Sequence, residues 1–279
     1  MAPAPSRGDP ADRTNGLDVE LGFTVGLGLP FEESIEWAER EGFDFVELLL
    51  DGPYARERIL DRRESMREAL ESAGIGLVVH LPFALDPGSP STPVREGAVA
   101  ELEAGMDLAV DLGAKSVVFH PASDPWEFAW SHEECLPFLH ESLDELVPAA
   151  RDRGLEPCVE NVVSSYYDAT TFPELLERYP AASMTFDTSH ALLAGLSTDD
   201  MASFCRDHAD RIAHLHLVDT RGSVDEHLPV GMGTIEFEAL FDALDAVGWS
   251  GTATLEIGTE DYDTIALGKR HAEELLANY

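Results

Sequence analysis

The sequence contains little cysteine. Three cysteines, Cys135, Cys158 and Cys205, are spread over 279 residues and form no C-x-x-C pair. Sparse and widely separated thiols favour a reducing cytoplasm and buried free cysteines over a disulfide framework. We therefore expect a cytoplasmic protein that folds around an apolar core, for which a hydrophobic content of 44% is ample.

Positive charge is also scarce. There are 18 Lys and Arg against 54 Asp and Glu, which gives a formal net charge of -36. The acids are interspersed along helical stretches and are not gathered in a tail. Such an excess destabilises a compact chain by self-repulsion unless salt screens it, so we predict a protein adapted to a salt-rich (halophilic) cytoplasm. The same charge argues against a general nucleic-acid-binding face.

Long apolar runs are missing too. No run approaches the ~18 residues that a membrane-spanning helix needs, so no membrane span is expected. The first residues, MAPAPSRGDPADRTNG, have no apolar stretch of the kind found in a signal peptide. We predict a flexible tail over residues 1–17 and a single domain over 18–279, because no break in composition follows.

A helical pattern, a glycine and a short β-rich run recur along the chain. EREGFDFVELLL around Gly42 and DLGAKSVVFHPA around Gly113 are two of five examples. Glycine commonly ends the helix before the next strand of a βα unit. Further strands at 19–25, 182–187 and 213–218 bring the count to eight. Helical stretches separate the strands, near 31–41, 54–73, 93–112, 133–153, 171–178, 197–210, 235–246 and 262–277.

Eight strand–helix units in one chain predict an α/β fold of the (β/α)8 TIM-barrel type. A doubly wound open sheet is the alternative. It would be supported by a G-x-G-x-x-G turn after the first strand, and the sequence has none there.

Polar residues fall where six of these strands end, which is the face of such a barrel that carries active sites. Carboxylates and imidazoles in these positions are poor core material and good ligands for divalent metals. A single strand-end histidine is usually a hydrogen-bonded structural residue, but six such ends together predict a metal centre. Because nine groups exceed what one ion needs, we predict one to three divalent ions, zinc or manganese. The candidate ligands are His80, His120, Glu160, Asp187, His190, His216, Asp225, His227 and Glu256.

Two candidates for contact with a substrate have structural alternatives. Trp126 lies in the PASDPWEFAW loop after His120, where it either forms an apolar wall over a substrate or packs its own loop. Arg221 either touches the substrate or forms an ion pair with Asp219.

Two further polar residues are expected to be structural. Glu47, which we place at the end of the second strand, is expected to brace the barrel mouth. His214 shares a strand face with His216 one layer deeper, so we expect it to support the barrel.

Glu160 and Glu256 are predicted to face each other across the barrel mouth. With a metal between them, they could remove and return a proton on opposite faces of a carbon beside a carbonyl, which is isomerase or epimerase chemistry. A cage holding two or three ions could instead activate water against a phosphodiester.

From about residue 19 onward the chain resembles the xylose isomerase-like barrel superfamily, which includes sugar isomerases, sugar epimerases and the endonuclease IV nucleases. In the isomerase and epimerase branch, one ion is typically held by a Glu, an Asp, a His and a Glu. These match Glu160 (VEN), Asp187 (DTSHA), His216 (HLHLVD) and Glu256 (LEI). The resemblance implies that the two glutamates also transfer protons and that His190 contacts the substrate.

The endonuclease branch uses further zinc ligands. These match His80 (HLPF), His120 (HPA), and Asp225 and His227 of DEH, with His190 as an additional ligand. The sequence around these residues departs from the nuclease pattern. NVVSS follows Glu160, and HLVDTRG replaces the expected HLND-Ser-Lys run.

We therefore favour a metal-dependent isomerase or epimerase acting on a sugar, sugar phosphate or related small polyol. An endonuclease IV-like phosphodiesterase acting on abasic DNA is the alternative. A non-catalytic sugar-binding barrel is disfavoured because both candidate proton-transfer glutamates are retained. The sequence leaves open which sugar is used, whether it is phosphorylated, and whether the barrel forms a homo-oligomer.

Overall fold

Eight parallel strands form a closed barrel. The computed structural model describes residues 17–279 except Leu27, Glu127 and Ser164. Each strand pairs with the next in chain order, and the eighth pairs with the first. The strands are β1 Asp18–Val25, β2 Phe45–Leu49, β3 Gly76–His80, β4 Ser116–Phe119, β5 Glu156–Glu160, β6 Ser183–Asp187, β7 Ile212–His216 and β8 Ser250–Leu255. The predicted (β/α)8 barrel is confirmed, and the open doubly wound sheet is excluded.

Helices occupy the connections between the strands. They are α1 Phe31–Glu41, α2 Arg56–Ile59, α3 Arg63–Ala73, α4 Thr92–Leu112, α5 His132–Asp152, α6 Phe172–Arg178, α7 Thr188–Leu193, α8 Thr198–His208, α9 Phe237–Val247 and α10 Tyr262–Leu276. The single helix predicted at 54–73 is wrong, because a 3-10 turn at Leu60–Arg62 separates α2 from α3. The short helix α7 was not predicted. Over the described ranges, no helix is both long and apolar enough to cross a membrane.

Glycines in the left-handed conformation account for the recurring helix–glycine–strand pattern. Gly42, Gly74, Gly113 and Gly248 follow α1, α3, α4 and α9 with φ values of 72°, 69°, 87° and 68°. Their backbone N–H groups donate to carbonyls of the preceding helical turn, which ends the helix and turns the chain toward the next strand. The predicted tail, residues 1–17, lies outside the described residues except for Leu17, which is buried.

The inside of the barrel has an apolar floor. Phe45, Val78, Val118 and Cys158 form a small cluster separate from the main core between strands and helices. The ring of Phe45 lies where a side chain at Gly22 would project, so a Cβ at that position would collide with it. Since side chains alternate along a strand, the residue two positions further on also points inward. Those residues are Glu47 in β2, His80 at the end of β3, His120 directly after β4 and Glu160 at the end of β5.

A local shift between β6 and β7 sets the orientation of the seventh strand. Met184 pairs with Ile212, but the next residue, Thr185, pairs with His214, so Ala213 is an extra residue in the ladder. A slip of one residue exchanges the two faces of a strand. The shift therefore places His214 and His216 beside Thr185 and Asp187 on the inner face.

Candidate metal and catalytic site

Four strand ends bring two glutamates, an aspartate and a histidine together. One ligand-type atom from each of Glu160, Asp187, His216 and Glu256 lies within 4.8 Å of the other three. We call this set the inner group. The first three side chains are at most 1% exposed, whereas that of Glu256 is 21% exposed and faces the barrel mouth. The sequence predicted this set, and the fold assembles it.

Asp187 is held by the short helix that follows it. Its Oδ1 accepts a hydrogen bond from the backbone N–H of His190 at 2.6 Å, so Asp187 is the N-cap of α7. Its backbone is tied to β5 through Asn161, whose side-chain amide bonds both the N–H and the C=O of Asp187. Oδ2 is buried and has no hydrogen-bond partner among the described residues. One oxygen therefore anchors the side chain, and the other remains available to a ligand.

Nδ1 of His216 is a second buried atom for which the part of the chain that the structure describes offers no hydrogen-bond partner. Three carboxylate oxygens surround it, from Glu256 at 3.1 Å, Glu160 at 3.5 Å and Asp187 at 3.8 Å. Buried polar atoms nearly always have a partner, so two such atoms that face the same point fit a site for a cation. A set of one imidazole and three carboxylates without thiolate suits zinc or manganese. The residues present thus fit a divalent ion.

A second group lies next to the first and shares Glu160. Oε2 of Glu160 is 3.2 Å from Nε2 of His80 and 3.1 Å from Nε2 of His120. The other ring nitrogen of His80 donates to the carbonyl of Leu81 at 2.8 Å. That bond fixes the ring and directs Nε2 toward Glu160. These three residues also form a set able to hold an ion.

His190, Asp225 and His227 form a third group at the mouth. Oδ2 of Asp225 lies 3.1 Å from Nε2 of His190 and 2.9 Å from Nε2 of His227. Ser189 donates to the other oxygen of Asp225 at 2.6 Å. His227 has φ 48°, which is unusual for a residue with a side chain, and such strain concentrates at functional sites.

The groups shift each other's pKa values strongly. Burial raises the pKa of Asp187 to about 6, although His190 opposes the rise. Burial would also raise the pKa of Glu160, but the imidazoles of His120 and His216 hold it well below its usual range. Burial would lower the pKa of His80, yet its bond to Glu160 raises it to about 9. A cluster of opposed titratable groups in a concave site is typical of active centres.

A cavity of about 390 Å³ opens beside the second and third groups. Its lining includes Phe83, Asp86, His120, Asp124, Val162 and His190. The volume is in the range of small-molecule sites. Trp126 is not among the described residues that line this cavity; it is 71% exposed, and its ring centroid lies 5.8 Å from that of Phe128 in a tilted arrangement. Both of its expected roles, packing within the loop and contact with a substrate, stay predictions.

The structure corrects one interpretation of the loop after β7. Arg221 does not pair with Asp219: its guanidinium bonds Glu226 at 2.6 Å and is 60% exposed. The carboxylate of Asp219 accepts the backbone N–H groups of Gly231 and Gly233 and so clamps the turn. A Cβ at Gly233 would collide with that carboxylate, which explains the glycine. Contact between Arg221 and a substrate stays a prediction.

Glu47 was placed at the end of the second strand, and that expectation is wrong. It lies in the middle of β2 and is fully buried inside the barrel. Nε2 of His214 lies 2.9 Å from its Oε2, which agrees with the expectation that His214 supports the barrel. The sequence does carry a signal for this position, because Glu47 is a charged residue inside the otherwise apolar run FVELL.

The fold and these groups can be compared with known proteins. A family model described as xylose isomerase-like TIM barrel matches residues 35–277. The chain belongs to this family. The predicted resemblance is thereby confirmed.

Two relatives are similar to the chain over most of its length. The chain is 28% identical to the uncharacterised protein MJ1311 of Methanocaldococcus jannaschii over 250 residues, covering 86% of this chain and 84% of that one. It is 25% identical over 248 residues to the L-ribulose-5-phosphate 3-epimerase UlaE of Salmonella paratyphi B, covering 82% of each.

The fold is similar to that of a D-tagatose 3-epimerase-like protein of known structure. The TM-score is 0.80 at 26% identity, with coverage of 93% of this chain and 98% of the other. The likeness therefore extends over nearly the whole of both chains.

Proposed function

We propose that this protein is a divalent-metal-dependent epimerase or isomerase that moves a proton at the carbon beside the carbonyl of a small sugar. The observation that carries the proposal is the inner group. Glu160 and Glu256 present carboxylate oxygens within 4.8 Å of each other, beside two buried ligand atoms that have no hydrogen-bond partner. The similarity to a ribulose-phosphate epimerase and to a tagatose-epimerase-like structure supports the same chemistry.

The metal would be held by Glu160, Asp187, His216 and Glu256. A bound divalent ion polarises the substrate carbonyl, which makes the neighbouring C–H more acidic. We propose zinc or manganese, because the ligand set mixes one imidazole with carboxylates. The second and third groups leave room for further ions, so one to three are proposed.

The two glutamates are proposed to carry the proton. One carboxylate removes the proton from the carbon beside the carbonyl, and the electron pair of that C–H bond moves toward the carbonyl oxygen. For epimerisation, the other glutamate returns a proton to the same carbon on the opposite face. For isomerisation, a proton is added to the former carbonyl carbon, whose oxygen becomes a hydroxyl, while the hydroxyl on the first carbon loses its proton as that carbon becomes the new carbonyl.

The two glutamates differ in burial and in hydrogen bonding, which agrees with the proposal that they act on opposite faces of the substrate carbon. Glu160 is buried, and its Oε2 is bonded by His80 and His120, which fix its position. Glu256 is partly exposed at the mouth and can exchange its proton with solvent. His190, which lines the adjacent cavity, is proposed to contact the substrate.

A phosphodiesterase acting on abasic DNA is the second candidate. One observation favours it: the structure brings His80, His120, Asp225 and His227 into groups next to the inner one, and a one-ion epimerase does not require them. Against it stands the net charge of -36, because phosphate contacts supply most of the affinity for DNA. Asp86 and Asp124 line the adjacent cavity and would repel a phosphate backbone.

A paired experiment separates the two candidates. Metal-loaded protein is incubated in deuterated water with a panel of ketoses, aldoses and cyclic polyol ketones, and separately with a duplex containing an abasic site. We expect deuterium at the carbon beside the carbonyl of at least one sugar, with loss of exchange in Glu160→Gln. Glu36→Gln, an exposed change on α1, is the matched control and should retain exchange. Strand incision at the abasic site without exchange into any sugar would establish the second candidate instead.

A further inference from the structure

Glu47 is a buried carboxylate deep inside the barrel. It lies in β2, is fully buried, and is not one of the residues of the inner group. An isolated ionised carboxylate in such a place is very costly unless hydrogen-bond donors surround it. The groups around Glu47 must therefore compensate its charge.

The donors around Glu47 come from two other strands, β7 and β8. His214 and His216 in β7 approach it through Nε2, at 2.9 Å from Oε2 and 3.1 Å from Oε1. The hydroxyl of Thr254 in β8 donates to Oε2 at 2.6 Å. An ionised carboxylate only accepts hydrogen bonds, so each imidazole must carry a proton on Nε2.

The second nitrogen of each ring then has an assigned role. Nδ1 of His214 lies 2.6 Å from the hydroxyl of Thr252, which can donate to it. Nδ1 of His216 has no hydrogen-bond partner and faces the carboxylates of the inner group. A neutral ring with its proton on Nε2 has its lone pair on Nδ1, and that is the form in which imidazole binds a metal.

His216 differs in this respect from three histidines of the neighbouring groups. Nδ1 of each of His80, His190 and His227 is bonded to a backbone carbonyl, of Leu81, Asn161 and Glu256 respectively. His216 instead donates to a charged side chain. A carboxylate partner orients a ligating ring and makes it a stronger ligand.

We propose that Glu47 is a positioning residue of the metal site, which holds His216 in the Nε2–H tautomer and presents its Nδ1 to the ion. Glu47 touches neither the ion nor the substrate and acts only through His216. The inference rests on the proposed metal site but not on the identity of the sugar.

The test measures binding of Zn²⁺ alone to metal-free protein, by competition with a chromophoric chelator. Glu47→Gln keeps the size of the side chain and removes its charge. We expect its Zn²⁺ dissociation constant to be roughly 10- to 100-fold above wild type. Thr185→Val is the matched control, because Thr185 is fully buried in the same layer and its hydroxyl has no hydrogen-bond partner. It should bind Zn²⁺ as wild type does.

A second measurement reads the tautomer directly and needs no folded Glu47 variant. In Zn²⁺-loaded wild-type protein labelled with ¹⁵N-histidine, nitrogen–proton correlations should show the ring proton of His216 on Nε2, identified by its loss in His216→Asn. A proton on Nδ1, or wild-type Zn²⁺ affinity in Glu47→Gln, would overturn the inference while leaving the metal site intact. Failure of wild-type protein to bind Zn²⁺ would overturn the metal site and the role of Glu47 together.

Discussion

Oε1 of Glu160 lies 3.5 Å from Nδ1 of His216, and no hydrogen bond joins the two atoms. One belongs to β5 and the other to β7, and both side chains are buried. Two lone-pair atoms held this close in a medium of low polarity repel each other unless a proton or a cation lies between them. This pair therefore marks the point at which we propose that a divalent ion binds.

The first prediction concerns Glu256, which contributes an oxygen to the same point. Glu256→Gln should reduce turnover by roughly 10²- to 10⁴-fold, because a carboxamide cannot accept the proton. It should also weaken Zn²⁺ binding. The far-UV circular dichroism should not change, since the side chain lies just beyond β8 at the mouth.

The matched control for that variant is Glu36→Gln, which is exposed on α1 and removes the same charge. Rates of epimerisation or isomerisation on the substrate found by deuterium exchange provide the measurement. Normal turnover by Glu256→Gln would show that Glu256 is not a proton-transfer group.

The second prediction is that zinc stabilises the fold more as pH rises. In metal-free protein, the bond from Glu160 overcomes the burial of His80 and raises its pKa to about 9; Asp225 does the same for His227. These pKa values in the folded protein exceed the value of ~6.5 expected for an unfolded chain. The protonated rings therefore stabilise the metal-free fold, and this contribution is fully present below pH ~6.5. This contribution is lost as pH rises toward 9. A bound ion must displace the same protons, so its affinity rises over that window.

The measurement is the difference in melting temperature with and without Zn²⁺ at pH 6, 7 and 8. The difference should grow at each step, and calorimetric titration in two buffers of unlike ionisation enthalpy should show proton release. A difference independent of pH would mean that the ion does not bind through His80 or His227.

Much of the barrel could be predicted from the sequence because its signals are local. Each of α1, α3, α4 and α9 ends at a single glycine in the left-handed conformation, and that signal can be read from one position in the sequence. Ligand-type residues at successive strand ends were also predictable, since parallel strands in such a barrel end at one face. Together, the helix-ending glycines and the polar strand ends predict which side chains lie at the same face of the barrel.

The rest depends on contacts between distant parts of the chain. Glu47 was misplaced because its partners, His214 and His216, lie 167 and 169 residues away in sequence. The extra residue Ala213 between paired strands leaves no pattern within either strand alone. Helix α7 was missed because six residues are too few for a helical period, and it begins with a cap from Asp187, which was read only as a ligand.

The third prediction concerns salt. The chain carries a net charge of -36, and exposed acids such as Glu36 and Glu39 on α1 repel their neighbours. Salt at ~1 M shortens the screening length to ~3 Å, so the melting temperature should rise by several degrees between low and molar KCl. Sucrose is the control, because it favours compact states without screening charge. An equal rise in both solutes, or none in KCl, would contradict the proposed adaptation to salt.

The fourth prediction is that a free ketose is a better substrate than its phosphate ester. The lining of the cavity beside the metal groups includes Asp86 and Asp124 and, among the residues that the structure describes, neither Lys nor Arg. Arg221, the cation predicted for substrate contact, is already bonded to Glu226. A phosphate dianion brought against these carboxylates would be repelled, so kcat/KM should be at least roughly tenfold higher for the free sugar.

Asp124→Asn should reduce the ratio of kcat/KM between the free sugar and its phosphate ester. Asp199→Asn on α8 removes the same charge away from the cavity lining and should leave that ratio unchanged. Paired kinetics at one fixed salt concentration decide the matter, and a preference for the ester would show that phosphate is bound by groups outside this lining.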